Sequence, residues 1–143
     1  MAVNPENAPM SLLRTETMPI RSDSDIVMIR QKTRVWAIEQ GFGLVDQTKI
    51  VTAASELARN ALVYGGGGTV RLEALNDGTR KGLRLTFEDR GPGIPDIELA
   101  MKAGYSTGTG LGLGLSGAKR LCNEFDLHST VGEGTQVTIT RWK

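Results

Sequence analysis

Two stretches carry residue types that could do chemistry. Within a strongly helical pattern, Glu56-Leu57-Ala58-Arg59-Asn60 sets a carboxylate and a carboxamide four residues apart. Positions i and i+4 lie one above the other on a helix face, so both side chains point at one spot. Asp89-Arg90-Gly91-Pro92-Gly93 then places a carboxylate at the end of a strand, followed by two glycines that let backbone approach a ligand closely. A helix offering Glu and Asn beside a strand offering Asp reads as a nucleotide-and-magnesium pocket. Asn60 can hold Mg²⁺ through its carbonyl oxygen, because that ion takes oxygen ligands and retains waters. Glu56, one turn earlier, can take a proton from an attacking hydroxyl or water. Asp89 can accept a hydrogen bond from an exocyclic amine such as that of adenine. The competing readings are plainer: a solvated helix face for Glu56 and Asn60, and a solvated strand end for Asp89.

The elements that must hold these groups can be read from periodicity. Residues 1–10 are polar and proline-containing and are expected to be poorly ordered. Ser11 to Met18 reads as a weakly signalled edge strand. Ser22 to Asp25 offers N-caps for a helix with Ile26, Ile29, Thr33, Trp36 and Ala37 at helical spacing, ending near Gln40 before Gly41-Phe42-Gly43. A second helix starts at Asp46, turns Ile50, Ala54, Leu57 and Ala61 inward, and stops near Tyr64 at Gly65 to Gly68; a turn into a strand explains those four glycines without a functional role. Strands over Thr69 to Leu75 and around Leu83, Leu85 and Phe87 flank the hairpin signal Asn76-Asp77-Gly78. Asp89 shares the face of Leu83, Leu85 and Phe87, since side chains two apart point the same way. A carboxylate on a core-facing side is unfavourable unless something bonds to it, which favours the ligand reading.

Asp96 opens a short helix to about Lys102, and a glycine-rich stretch runs from Gly104 to Gly114. A helix over Leu115 to Phe125 follows, with Cys122 as ordinary core. Leu127 to Val131 and Thr135 to Arg141 form a last hairpin around Gly132-Glu133-Gly134, with Thr135 on the covered face beside Val137 and Ile139. The sum is a single α+β domain over residues 11–143: a two-layer sandwich whose mostly antiparallel sheet carries helices on one face.

Three glycine motifs compete for the phosphate. A P-loop needs Gly-Lys-Ser/Thr, which is absent. Gly112-Leu-Gly114-Leu-Ser-Gly117 matches a dinucleotide fingerprint but follows no apolar strand, so its context fails. In the third, Gly108, Gly110, Gly112 and Gly114, with hydroxyls at Ser106, Thr107 and Thr109, form a loop running into a helix N-terminus, where free amides and the dipole favour a phosphate chain. Lys102, Lys119 and Arg120 are candidate phosphate contacts by proximity alone.

Bulk properties narrow the class. The 143 residues suit one ordinary domain, and 39% hydrophobic with 23% charged is a normal globular composition. Net charge is +1, and seven basic and seven acidic residues precede Arg71, so neither nucleic acid nor an anionic membrane is indicated as a partner. One cysteine excludes an internal disulfide, and no long apolar run or leader pattern occurs; a cytoplasmic location is expected.

Glu56…Asn60, Asp89-x-Gly91-x-Gly93, Gly110-x-Gly112-x-Gly114 and Gly132-x-Gly134-Thr135 resemble, in order and over nearly the whole chain, the nucleotide-binding boxes of the GHKL (Bergerat-fold) ATPases. That superfamily includes gyrase B, Hsp90, histidine kinases and MutL. In finer detail, Gly41-Phe-Gly43, Ser55-Glu-Leu-Ala-Arg-Asn60, the run Asp89 to Asp96, Gly110 to Leu115 and Lys119-Arg-Leu121 resemble the switch serine/threonine kinases of the bacterial stressosome. The resemblance implies a Bergerat fold using ATP and Mg²⁺, with Glu56 as general base, Asn60 as Mg²⁺ ligand and Asp89 as adenine contact. It implies that Gly91, Gly93, Gly108, Gly110, Gly112, Gly114 and Thr135 shape the nucleotide pocket. It further implies phosphorylation of STAS-domain stressosome proteins on Ser or Thr, then binding and activation of a PP2C-type phosphatase in a general stress response. Histidine kinase is disfavoured because the single histidine, His128, falls in a strand with no dimerisation helices around it. Gyrase, Hsp90 and MutL fail on length. A purely binding module has no need of the base Glu56. An anti-sigma factor of the same fold, inhibiting a sigma subunit, is the alternative; Gly-Phe-Gly and Ser-Glu-Leu-Ala-Arg-Asn favour the switch kinase.

Overall fold

The structure is a computed structural model and describes residues 11–102 and 114–143. Strand β1 (Ser11–Ile20) leads into helix α1 (Asp23–Glu39), helix α2 (Leu44–Val63) and a hairpin of β2 (Gly68–Asn76) and β3 (Lys81–Asp89). Short helices α3 (Ile97–Ala100) and α4 (Gly114–Arg120) come next, then the hairpin β4 (Glu124–Thr130) and β5 (Gly134–Trp142). The sheet order is β1-β2-β3-β5-β4, and every pairing among the described residues is antiparallel. The expected α+β sandwich is therefore observed, with a sheet more uniformly antiparallel than the sequence implied.

Local chemistry accounts for the boundaries. The Ser22 hydroxyl accepts from the Asp25 amide and so caps the start of α1, while the Asp25 carboxylate accepts from the Arg21 amide at 2.8 Å and fixes the chain entering the helix. β1 runs two residues beyond the expected end and takes in Pro19. That is tolerated because β1 is an edge strand, where a missing N–H breaks no second ladder. Helix α2 begins at Leu44 rather than Asp46, with Gly43 extended as its N-cap. Asp46 does not cap; it accepts an ion pair from Arg141 of β5 at 2.6 Å. The helix expected to reach Phe125 stops at Arg120. Leu121 and Cys122 close it with i−3 bonds, and Phe125 enters β4, where it alternates inward with Leu127.

α1 and α2 pack side by side on one face of the sheet. Ile26, Ile29, Trp36 and Ala37 of α1 and Ile50, Ala54, Leu57 and Ala61 of α2 meet Val70, Leu72, Leu85, Phe87 and Ile139. A buried Leu or Ile side chain contributes about 1.5–3 kcal/mol by leaving water, so this seam is the main source of stability. Beyond the end of α1, the buried Gln40 amide donates to the carbonyls of Leu75 (2.9 Å) and Gly82 (2.8 Å), tying the helix end to the β2–β3 hairpin. Cys122 is packed against the core, and burial pushes its thiol up to about 12. The folded pKa lies above the ordinary 9.0, so the neutral thiol favours the fold below about pH 9, a contribution lost as pH rises towards 12.

Two outcomes follow. Gln40→Ala should lower unfolding free energy in urea by about 1–3 kcal/mol by orphaning two carbonyls; an unchanged midpoint would show the tie to be idle. At pH 8 iodoacetamide should alkylate native Cys122 more slowly than the unfolded chain by about two to three orders of magnitude, following the thiolate fraction. Equal rates would contradict a buried neutral thiol.

Candidate functional site

The open end of the α2–sheet interface holds a cavity of about 510 Å³. Its apolar walls come from Leu57 and Ala61 of α2, Phe87 and Val137 of the sheet, Ile94 of the following loop and Leu115 of α4. Into this apolar space project a few polar groups, the usual composition of a small-molecule site. Asn60, Asp89, Gly93, Gly114 and Thr135 line it together. The spacing argument for Asn60 therefore leads to a cavity wall. Its side chain has no hydrogen-bond partner among the described residues. Glu56 lies one turn back along α2, about 6 Å of helix rise away, half-buried and outside the cavity lining. Gly108, Gly110 and Gly112, with Ser106, Thr107 and Thr109, fall outside the described residues. Lys102, Lys119 and Arg120 are exposed and do not line the cavity.

Asp89 is the last residue of β3, between Gly68 of β2 and Thr135 of β5. Its parity with Phe87 sends the carboxylate to the helix-facing side, as the alternation predicts. One oxygen, Oδ1, accepts from the Gly91 amide at 3.0 Å. The second, Oδ2, has no partner among the described residues, so it can accept from a ligand. A carboxylate half-committed in this way is held in orientation and still offers a lone pair to the cavity.

The loop after Asp89 is fastened to the β4–β5 hairpin. Gly93 adopts φ +77°, and a Cβ there would stand 2.5 Å from the Thr130 carbonyl oxygen, so only glycine closes this turn against β4. Gly132 donates to the Pro92 carbonyl at 2.9 Å. Ser129 is the hub: its hydroxyl accepts from the Ile94 amide at 2.8 Å and lies 2.9 Å from the Thr135 hydroxyl. Sequence reasoning passed over Ser129, although its inward parity with Leu127 was the available signal. Gly65 was also passed over. It sits in the cavity wall against Asp89 and Gly91, where the four-glycine run had an ordinary explanation as a turn.

The residues suit a magnesium nucleotide. Among the described residues no group of three His, Cys, Asp or Glu side chains could hold a metal alone. A single carboxamide matches an ion that takes most of its ligands from phosphates and water. The apolar walls with one free carboxylate oxygen match a flat base bearing an amine.

An open-ended cavity between helices and an antiparallel sheet, with Asn on the helix and Asp on the strand, defines a nucleotide-binding ATPase fold. The chain belongs to the histidine kinase-, DNA gyrase B- and HSP90-like ATPase family, whose sequence profile matches residues 45–143. Within it, the chain is 51% identical to the serine/threonine-protein kinase RsbT of Bacillus subtilis strain 168, over 86% of this chain and 92% of that protein. It is 30% identical to the anti-sigma F factor of Anoxybacillus flavithermus, over 68% of this chain and 70% of that one. A solved structure of the RsbU and RsbW domains of a Mycobacterium tuberculosis protein superposes with a TM-score of 0.62 at 23% identity, covering 96% of this chain and 34% of that one. That likeness supports the fold.

Ser129→Ala should lower stability by about 1 kcal/mol and weaken ATP binding several-fold, because the Ile94 amide and Thr135 hydroxyl lose their common partner. Calorimetric titration together with thermal unfolding checks both. Unaltered binding would mean that the hairpin does not position the cavity wall.

Proposed function

We propose that this protein is an ATP-dependent serine/threonine protein kinase. It phosphorylates STAS-domain proteins of a stressosome-like complex and, once released, binds and activates a PP2C-type phosphatase in general stress signalling. The observation that carries the reading is the convergence of Asn60 and Asp89 on one largely apolar cavity. The likeness to a serine/threonine kinase spans 92% of that protein at 51% identity, against 30% for an anti-sigma factor, and so favours kinase over sigma-subunit inhibitor. No helix among the described residues is long and apolar enough to cross a membrane, which accords with action in the cytoplasm. Residues 11–143 act as one kinase domain.

In this mechanism Asp89 Oδ2 accepts the adenine amine while Phe87, Ile94 and Val137 exclude water from the base. Asn60 Oδ1 would hold Mg²⁺, and that ion would supply charge neutralisation on the phosphate oxygens. Gly91, Gly93, Gly114 and Thr135 shape the pocket around the nucleotide; Gly108, Gly110 and Gly112, assigned the same role from their motif, lie outside the described residues. Glu56, one turn out from Asn60 and beyond the cavity lining, is the general base in this reading. It takes the Ser or Thr proton as the new O–P bond forms and the bond to the ADP oxygen breaks. Phosphoryl transfer needs mostly positioning and charge neutralisation, so few protein groups suffice.

Glu56→Gln should lower kcat by about 10²–10⁴-fold, the usual worth of a general base, with ATP affinity changed less than threefold. Asn60→Ala should abolish transfer by removing the metal ligand. Incubation of cell extract with the tagged protein and Mg-ATP, read by mass spectrometry, tests the partners. New Ser or Thr phosphosites on a STAS-domain protein, with a phosphatase co-captured, are expected. A sigma factor as main partner, without new phosphosites, would move the protein to the anti-sigma class.

A further inference from the structure

Gly65 is a glycine for a reason the turn does not supply. In the run that ends α2, Gly66 and Gly67 adopt φ +74° and +103°, conformations that L side chains rarely take, whereas Gly65 lies outside that region. Its backbone would therefore accept any residue. What excludes a side chain is space. A Cβ on Gly65 would stand 2.5 Å from the Asp89 Cβ and 2.6 Å from its Oδ2, with the carboxyl carbon closer still. Rotation of the carboxylate alone cannot relieve this, because the Cβ is fixed to the strand. Gly91, also outside the positive-φ region, presses on the other side: a Cβ there would lie 2.6 Å from the Gly65 Cα. Gly91 is also the donor that holds Asp89 Oδ1. Gly65 and Gly91 thus meet backbone to backbone, with the Asp89 side chain lying over Gly65.

We infer that Gly65 is a positioning and specificity-determining residue of the nucleotide site: its bare Cα is the floor that holds the free oxygen of Asp89 where it selects a purine bearing an exocyclic amine. The inference rests on the adenine reading proposed above and adds to it a residue that acts through Asp89. A bulkier residue at 65 drives the end of β3 and its carboxylate out of position. It weakens binding of amine-bearing purines, while the contribution of the apolar walls remains.

The test compares equilibrium binding of ATP with that of purine riboside triphosphate, which lacks the amine and adds no oxygen in its place. The original protein should prefer ATP by tenfold or more. Gly65→Ala should lose most of that preference, with ATP affinity falling at least tenfold and purine riboside triphosphate affinity changing less than threefold. Added to Asp89→Asn, it should change the preference no further. An original protein without preference would overturn the adenine reading and this inference with it. A preference kept in Gly65→Ala would overturn the inference and leave the adenine reading standing. Should Gly65→Ala fail to fold, Gly65→Ala combined with Asp89→Gly, which takes away the Asp89 Cβ as well as its carboxyl group, removes the collision. Recovery of folding in that double variant supports the inference, and continued failure overturns it.

Discussion

A negatively charged side chain on the helix-facing side of a sheet is the constraint around which this molecule is built. Asp89 ends the central strand β3 on the same side as Phe87, where an unpaired carboxylate is strongly disfavoured. The fold meets this with one backbone amide and with open space. The Gly91 amide satisfies Oδ1, and the end of the α2–sheet seam is left as a cavity into which Oδ2 can reach. Glycines at 65, 68 and 134 let the surrounding backbone close on Asp89 without side chains between, and Gly91 lets its own backbone close on Gly65. The loop that returns from Asp89 is then fixed through Ser129 and the Gly93 turn to the last hairpin. Distant parts of the chain are thus committed to one side chain.

The architecture around that site is ordinary, and its stability is separable from the chemistry. The α1–α2 layer and the sheet bury a continuous apolar seam, and Gln40 and Arg141 tie helix ends to strands well away from the cavity. The rigid seam supports α2, and α2 presents Asn60 to the cavity. Glu56 sits on the same helix, closer to its start. The proposed metal ligand and the proposed base are therefore held by one element, and their separation is set by helix geometry.

Much of this was legible in the residue pattern. Strand parity alone put Asp89 and Thr135 on the covered side, and helical spacing gave the inward stripe of α2. Both depend on local periodicity, which sequence carries directly. The errors fell where tertiary contacts override local signals. Asp46 has the chemistry of an N-cap, but Arg141 engages it and Gly43 caps instead. Phe125 follows helical spacing, yet pairing with Ile139 draws it into β4. Ser129 and Gly65 owe their roles to neighbours 35 and 24 positions away in the chain; strand parity turns Ser129 inward, but no local pattern names the partner of either residue. The glycine ladder at 108, 110 and 112 was legible as a motif, and it lies outside the described residues.

The central claim is that Asn60 and Asp89 bind the two ends of one Mg-ATP. A crystal structure of the protein with Mg²⁺ and a non-hydrolysable ATP analogue tests it most directly. The account predicts the adenine amine within about 3 Å of Asp89 Oδ2, a normal hydrogen-bond length, and Mg²⁺ about 2.1 Å from Asn60 Oδ1. A nucleotide bound elsewhere, or one in this cavity with its base directed at Asn60 and its phosphates at Asp89, would contradict it.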